Sequence, residues 1–196
     1  TTTTGMANMG NVTTATGAYV AANNVASYVF LTTAKAGSVD KVVYYAGSFS
    51  YDGTDTIYDV IVNGAADTVK SSSLKSGATL TEGLSSIAAD GTVTPLAKKA
   101  LAKHDGVYTD TGKTYGLVNN GGLLSVVETD IETGVATTTA NVDVVANNVP
   151  VYTISASAGT ATVGTAANLA VSGASLIYIQ ANAAGNAIGA IYVVVA

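Results

Sequence analysis

The chain contains no cysteine, no tryptophan and no arginine. Without cysteine there are no disulfides, no thiolate metal sites and no thiol nucleophile. Without arginine the usual bidentate reader of phosphates and bases is missing. All eight cationic residues are lysines and the formal net charge is −5. A nucleic-acid footprint needs a basic patch, so nucleic acid is not expected as a partner. Charge of either sign is scarce, at 11% of residues, against about 25% in an ordinary soluble domain. Interspersed charge is what keeps protein surfaces apart, so this chain has little protection against packing on copies of itself. Long apolar runs are absent too. No stretch of about 18 such residues occurs, so no membrane-inserted helix is expected. No basic stretch leads into an apolar one, as a secretion signal would require. The chain begins at Thr1, as expected of a processed, mature protein or of a cut segment.

What is present favours strands. Apolar residues make up 48% of the 196, mostly Val, Ala, Ile and Tyr, alongside abundant Thr and Gly. β-branched and aromatic side chains suit a pleated surface better than a helix. "VASYVFLTT" (25–33) and "SVDKVVYYAGSFSY" (38–51) follow that grammar, bounded by Gly, Asp and Ser. Asn63–Gly64 stands between two such runs and tolerates the positive φ of a tight hairpin turn. Asp90–Gly91 and Asn119–Gly122 repeat the signal, and Pro95 confines its strand to an edge or ends it. Leu96–His104 is the one stretch with a short-helix pattern. The closing hairpin, "ASLIYIQA–NAAGN–AIGAIYVVVA", ends in a run (188–195) apolar at nearly every position. A strand apolar on both faces is covered on both sides, so the chain is expected to finish inside a sheet.

Strand-like runs every 8–12 residues predict an all-β fold, an antiparallel sandwich or barrel built from hairpins. Three segments are expected: an extended N-terminal arm (1–24), a first β module (25–104) and a second (105–196). The arm, "TTTTGMANMGNVTTATGAYVAANN", carries no charged side chain. Extended at about 3.3 Å per residue, some 20 residues reach roughly 65 Å, far beyond the ~13 Å radius of gyration of a 100-residue domain. With no proline and no charge to desolvate, it suits donation as a β-strand to a neighbouring subunit. Val12, Thr14, Thr16, Ala18 and Val20 would then share the face presented to the acceptor.

Candidate chemistry is thin. "TDTGKT" (109–114) is close to a phosphate-binding loop, but the required first glycine falls on Val107. His104 is the single histidine, without a nucleophile elbow or companion ligands, and reads as an exposed turn residue. Asp52, Asp55 and Asp59 are the candidate oxygen ligands for a structural Ca²⁺. Their spacing is not that of an EF-hand, and Asp and Gly are also what a tight turn needs. No other cofactor is expected. Asn11 opens the one N-glycosylation sequon, Asn11–Val12–Thr13. Tyr44, Tyr45 and Tyr51 fit cross-strand aromatic pairing. Lysines beside Asn and Asp are the raw material of an intramolecular isopeptide bond, yet no triad stands out.

Three phrases, "IYDVIVNG" (57–64), "NNVPVYTI" (147–154) and "AAGNAIGAIYVVVA" (183–196), carry a resemblance. They resemble the β-rich modules of surface-layer and related cell-surface proteins of Gram-positive bacteria, over roughly residues 38–196. There a "YDVIVNG" hairpin and a closing "AIYVV" hairpin recur, here with Asn182 and Gly185 in the turn. The resemblance implies an extracellular, cell-surface structural protein with no catalytic residues to carry over. Wall-binding domains and a sorting signal are missing, which leaves polymerisation as the expected means of retention. The expectation is a self-assembling filament or lattice subunit, a homopolymer and not an enzyme. The alternative is a carbohydrate- or surface-binding adhesin module.

Overall fold

The structure, a computed structural model, describes residues 15–22, 25–33 and 40–196. Almost all of its regular structure is strand, and among the described residues helical geometry is confined to single 3-10 turns at Ser71–Ser73 and Ala166–Asn168. The chain divides into two compact units, residues 1–38 and 39–196. In the first, β1 (Ala15–Ala22) pairs antiparallel with β2 (Val25–Thr33) as a two-stranded sheet of their own. Their register runs regularly from Ala15↔Thr33 to Val20↔Tyr28 and then shifts.

The second unit holds two sheets. Strands β3 (Lys41–Tyr51), β4 (Thr56–Val62), β5 (Ala65–Lys70), β6 (Gly83–Ile87) and β7 (Val93–Pro95) form an antiparallel sheet in the order β5-β4-β3-β6-β7. Asn63 (φ 49°) and Gly64 (φ 77°) make the β4–β5 turn, both in the left-handed region that a type I′ hairpin demands. Pro95 closes β7 at the sheet's edge, where its missing N–H costs no ladder bond. The nine-stranded sheet comprises β8 (Lys99–Ala102), β9 (Asp105–Tyr108), β10 (Lys113–Asn120), β11 (Leu123–Asp130), β12 (Ala136–Val144), β13 (Pro150–Ser155), β14 (Thr160–Thr165), β15 (Ala170–Ala181) and β16 (Ile188–Val195). Its main path is β12-β11-β10-β15-β16-β13-β14. The long β15 takes β10 along its first half and β9 along its second, and β13 joins β16 in parallel.

Alternation along the strands builds three apolar clusters. Val42, Tyr44, Ile61 and Leu84 of the five-stranded sheet pack with Val107, Ile154, Tyr178, Tyr192 and Val194 of the other, which makes the two sheets the layers of a sandwich. The opposite face of the smaller sheet (Val43, Tyr45, Tyr58, Val60, Val69) is covered by Leu74 and Leu80. The opposite face of the larger one carries a cluster of its own, with Leu117, Leu124, Ile177, Ile179, Ile191 and Val193 buried in it. Val107, Ile154 and Tyr192 thus share a cluster with Val42 and Tyr44, so the expected blocks 25–104 and 105–196 do not have separate cores. β16 is buried on both faces, as its unbroken apolar run requires.

The Leu96–His104 stretch is not helical. Lys99–Ala102 adds to β9 as a strand, and Lys103 (φ 50°) and His104 (φ 65°) form the two-residue turn. A ladder to a neighbouring strand outweighs weak local helix preference.

The Asp90–Gly91 turn seats against the segment that covers the smaller sheet. A Cβ on Gly91 would lie 2.6 Å from the Lys75 amide nitrogen and 2.8 Å from the Leu74 carbonyl carbon, with φ at +80°. Gly112 has a similar φ (+77°) and open space around it. Gly112→Ala is therefore expected to cost only the left-handed strain, about 1–2 kcal/mol. Gly91→Ala should cost clearly more, because backbone must move. Denaturant midpoints of the two variants check this, and equal losses would contradict the packing role of Gly91.

Candidate functional site

Three of the five expected assembly positions, Thr16, Ala18 and Val20, fall at alternate positions of β1 and share one of its faces. Val12 and Thr14 lie outside the described residues, as does Asn11 with its sequon. β1 is a strand, and its partner among the described residues is β2 alone.

The acidic turn is spent on its own backbone. Asp52 accepts hydrogen bonds from the amides of Thr54 and Asp55 and from Lys70 Nζ, and these hold its carboxyl down at about 2. Asp55 accepts from the Ser71 and Ser72 hydroxyls and the Ser72 amide, which likewise lower it. Asp59 takes the Ser48 hydroxyl instead. The three carboxylates do not converge, and among the described residues no group of three or more His, Cys, Asp or Glu side chains is placed to hold a metal.

The near-phosphate-loop segment connects β9 to β10, with Lys113 N–H donating to the Asp110 carbonyl, so it is strand–turn–strand. His104 is indeed a turn residue, but it is not idle. Its Nδ1 lies 2.9 Å and 3.0 Å from the two carboxylate oxygens of Asp143 on β12. That pairing ties the strained Lys103–His104 turn to a strand 39 residues further along. No sequence signal joins the two.

The nearest approach to an isopeptide triad is Lys113, with Asp130 at 3.0 Å and Glu128 at 3.6 Å. Thr133 N–H and Lys113 hold the Asp130 carboxyl far below the ordinary range, and Asp130 raises the Lys113 ammonium. Amide condensation needs a neutral amine and a protonated acid, so this geometry is an ion pair. A groove of about 590 Å³ opens beside Tyr44, Ser48, Asp59, Ile61, Thr68 and Gly159. It contains no histidine, and its Asp67 is paired with Lys41.

Charge is distributed in a way the sequence reading overlooked. No Asp, Glu or Lys occurs before Lys35 or after Asp143. Among the described residues, Lys41, Lys70, Lys75, Lys98, Lys99 and Lys113 each pair with a carboxylate. Such exposed pairs add little stability, about 0–1 kcal/mol, but they neutralise the few charges present. Both ends of the nine-stranded path are consequently bare. β14 contains no charged residue, and β12 contains none before Asp143. By contrast β5 carries Asp67 and Lys70, and β7 stops at Pro95 after three residues. Edge strands are usually blunted by lysine, proline or shortness. Only the smaller sheet follows that rule at both ends.

Titration sets a further expectation. Asp52, Asp55, Asp67, Asp90, Asp110 and Asp130 are all lowered from 3.8. Their contribution is present above that value and is lost as pH falls below it. Tyr44, Tyr45, Tyr108, Tyr115, Tyr178 and Tyr192 are raised from 10.0, chiefly by burial. Their contribution is present below pH 10 and is lost as pH climbs above it. Thermal midpoints should therefore form a plateau between about pH 4 and pH 10 and fall on both sides. A midpoint still unchanged at pH 12 would contradict the buried tyrosines.

No protein-family model, curated protein or solved structure matches the chain.

Proposed function

We propose that this chain is a secreted structural subunit that assembles with copies of itself into an extracellular filament or lattice, the N-terminal β1 segment being donated to a neighbouring subunit. The observation that carries this reading is the β1–β2 ribbon. It is a two-stranded sheet without a charged residue. Two strands alone are marginal in water, whereas a third strand or a covering surface makes them stable. A neighbouring subunit supplies that surface, and the bare edges of the larger sheet supply places to add strands. Low charge density, at 11% of residues, keeps the repulsion between copies small. The resemblance to surface-layer modules points to the same class of protein.

Negative-stain microscopy of the native protein tests the reading. Regular filaments or sheets are expected, and particles that stay isolated at every concentration would contradict it.

A second reading, an adhesin module, draws on Phe49 and Tyr51. They are 63% and 67% exposed and, two residues apart on β3, share one face. Sugars stack on such rings. If the protein is an adhesin, Phe49→Ala with Tyr51→Ala should abolish glycan retention while leaving the melting point unchanged.

A further inference from the structure

We propose that the acceptor is the outer edge of β12, to which the β1–β2 ribbon of a second copy adds through β1, extending the nine-stranded sheet from one subunit into the next. This rests on the self-assembly reading above and names the surface that reading leaves open.

The argument starts from exposure. Among the described residues β12 pairs with β11 alone and ends the sheet. Its side chains are exposed from Ala136 through Asn141, on both faces of the strand. A strand in that position presents a row of backbone N–H and C=O groups along its outer edge, a template for another strand. From Thr133 to Val142 no residue is charged and none is proline, so neither charge nor proline blocks this stretch. Ile131 and Val135 flank the segment, 62% and 63% exposed. The register against β11 is regular over Ala136–Thr139 and slips beyond it, where Asn141 takes φ 55°. The flat part of the edge is thus Ala136–Thr139.

The occupant follows from matching chemistry. An incoming strand suits this edge best if it brings no charge, because Thr133–Val142 offers none to pair with and desolvating an unpaired charge is expensive. β1 meets this: its regular stretch, Ala15–Val20, is uncharged, as is all of β2. One edge of β1 is taken by β2, and the other is what a third strand uses. The rival edge, β14, is equally uncharged but shorter at six residues. It also runs beside the β4–β5 turn, where Val163 stands against Gly64. β12, nine residues long overall although flat only over Ala136–Thr139, is the less obstructed acceptor. Joining a ribbon to an unlike edge is a heterologous contact, which propagates into an open chain unless its rotation closes a ring.

Cysteine cross-linking tests this cleanly, because the native chain has no cysteine of its own. Full-length Ala18→Cys carrying a size tag is mixed with untagged full-length Thr138→Cys, Thr139→Cys or Thr162→Cys, and each mixture is oxidised under assembly conditions. Disulfides need Cα separations of about 4.4–6.8 Å, so only neighbouring strands are captured. The expected product is a mixed dimer with the Thr138 or Thr139 variant and at least tenfold less with the Thr162 variant on β14. Assembly with cross-linking only to the Thr162 variant, or to none of the three, overturns the β12 assignment and leaves the self-assembly reading standing. Failure of the untreated mixtures and of the native protein to assemble at all overturns both.

Discussion

Tyr192→Asp is expected to leave the chain unfolded. Tyr192 is 4% exposed at the middle of β16, between β15 on one side and β13 on the other. Its ring stacks on Tyr178 at 5.8 Å between centroids and lies 5.0 Å from Tyr152. Its hydroxyl donates to Asn63 Oδ1 at 3.2 Å, fastening the β4–β5 turn of the opposite sheet. A carboxylate here loses the aromatic packing and is placed within a buried apolar cluster. Burying an unpaired charge costs several kcal/mol, against a total stability of about 5–15 kcal/mol. Deletion after Gly189 removes most of β16 and should have the same outcome. Tyr192→Phe keeps the ring and loses one hydrogen bond, so its cost should be about 1 kcal/mol. Circular dichroism and thermal melting separate these cases. A cooperative transition near the native midpoint in the Asp variant would contradict the central place given to β16.

The hairpins were legible because their signals are local. Asn63–Gly64 adopts the positive φ pair that only a few residue types tolerate, and the β15–β16 turn closes with Asn182 N–H donating to the Ala187 carbonyl. The burial of β16 was legible from a run with no polar face. Pairing between distant segments was not. Nothing in Pro150–Ser155 announces a parallel partner in Ile188–Val195, and nothing in Ala170–Ala181 says that β10 and β9 share one of its edges. Such pairings are selected by how whole faces fit, which no short window contains. Leu96–His104 misled for the same reason, since its ladder partner decides its conformation. For the candidate site, the uncharged opening segment was visible at once. The bare edges were not, because an edge exists only after the strand order is known. The uncharged stretch after Asp143 was in plain view, but that it contains an end of the sheet showed only when β14 took the last place in the strand order.

Removing the ribbon should separate assembly from folding. Among the described residues all three apolar clusters are drawn from positions beyond Val39, and both sheets of the second unit are built from residues 41–195, so a chain lacking residues 1–38 is expected to keep both sheets. It loses the uncharged strands proposed to join subunits. Each ladder hydrogen bond contributes a net ~0.5–1.5 kcal/mol, and β1 spans eight residues, so the lost terms are enough to abolish polymerisation at micromolar protein. Deletion of residues 1–24 alone should act in the same direction, since β2 would be left without its partner. Sedimentation velocity of the intact chain and the 39–196 fragment, with melting points taken on the same samples, is the most direct measurement. The expected result is a polymer for the intact chain and a monomer with an unchanged midpoint for the fragment. Polymer of equal size from both, or a fragment that does not fold, would contradict donation of the N-terminal segment.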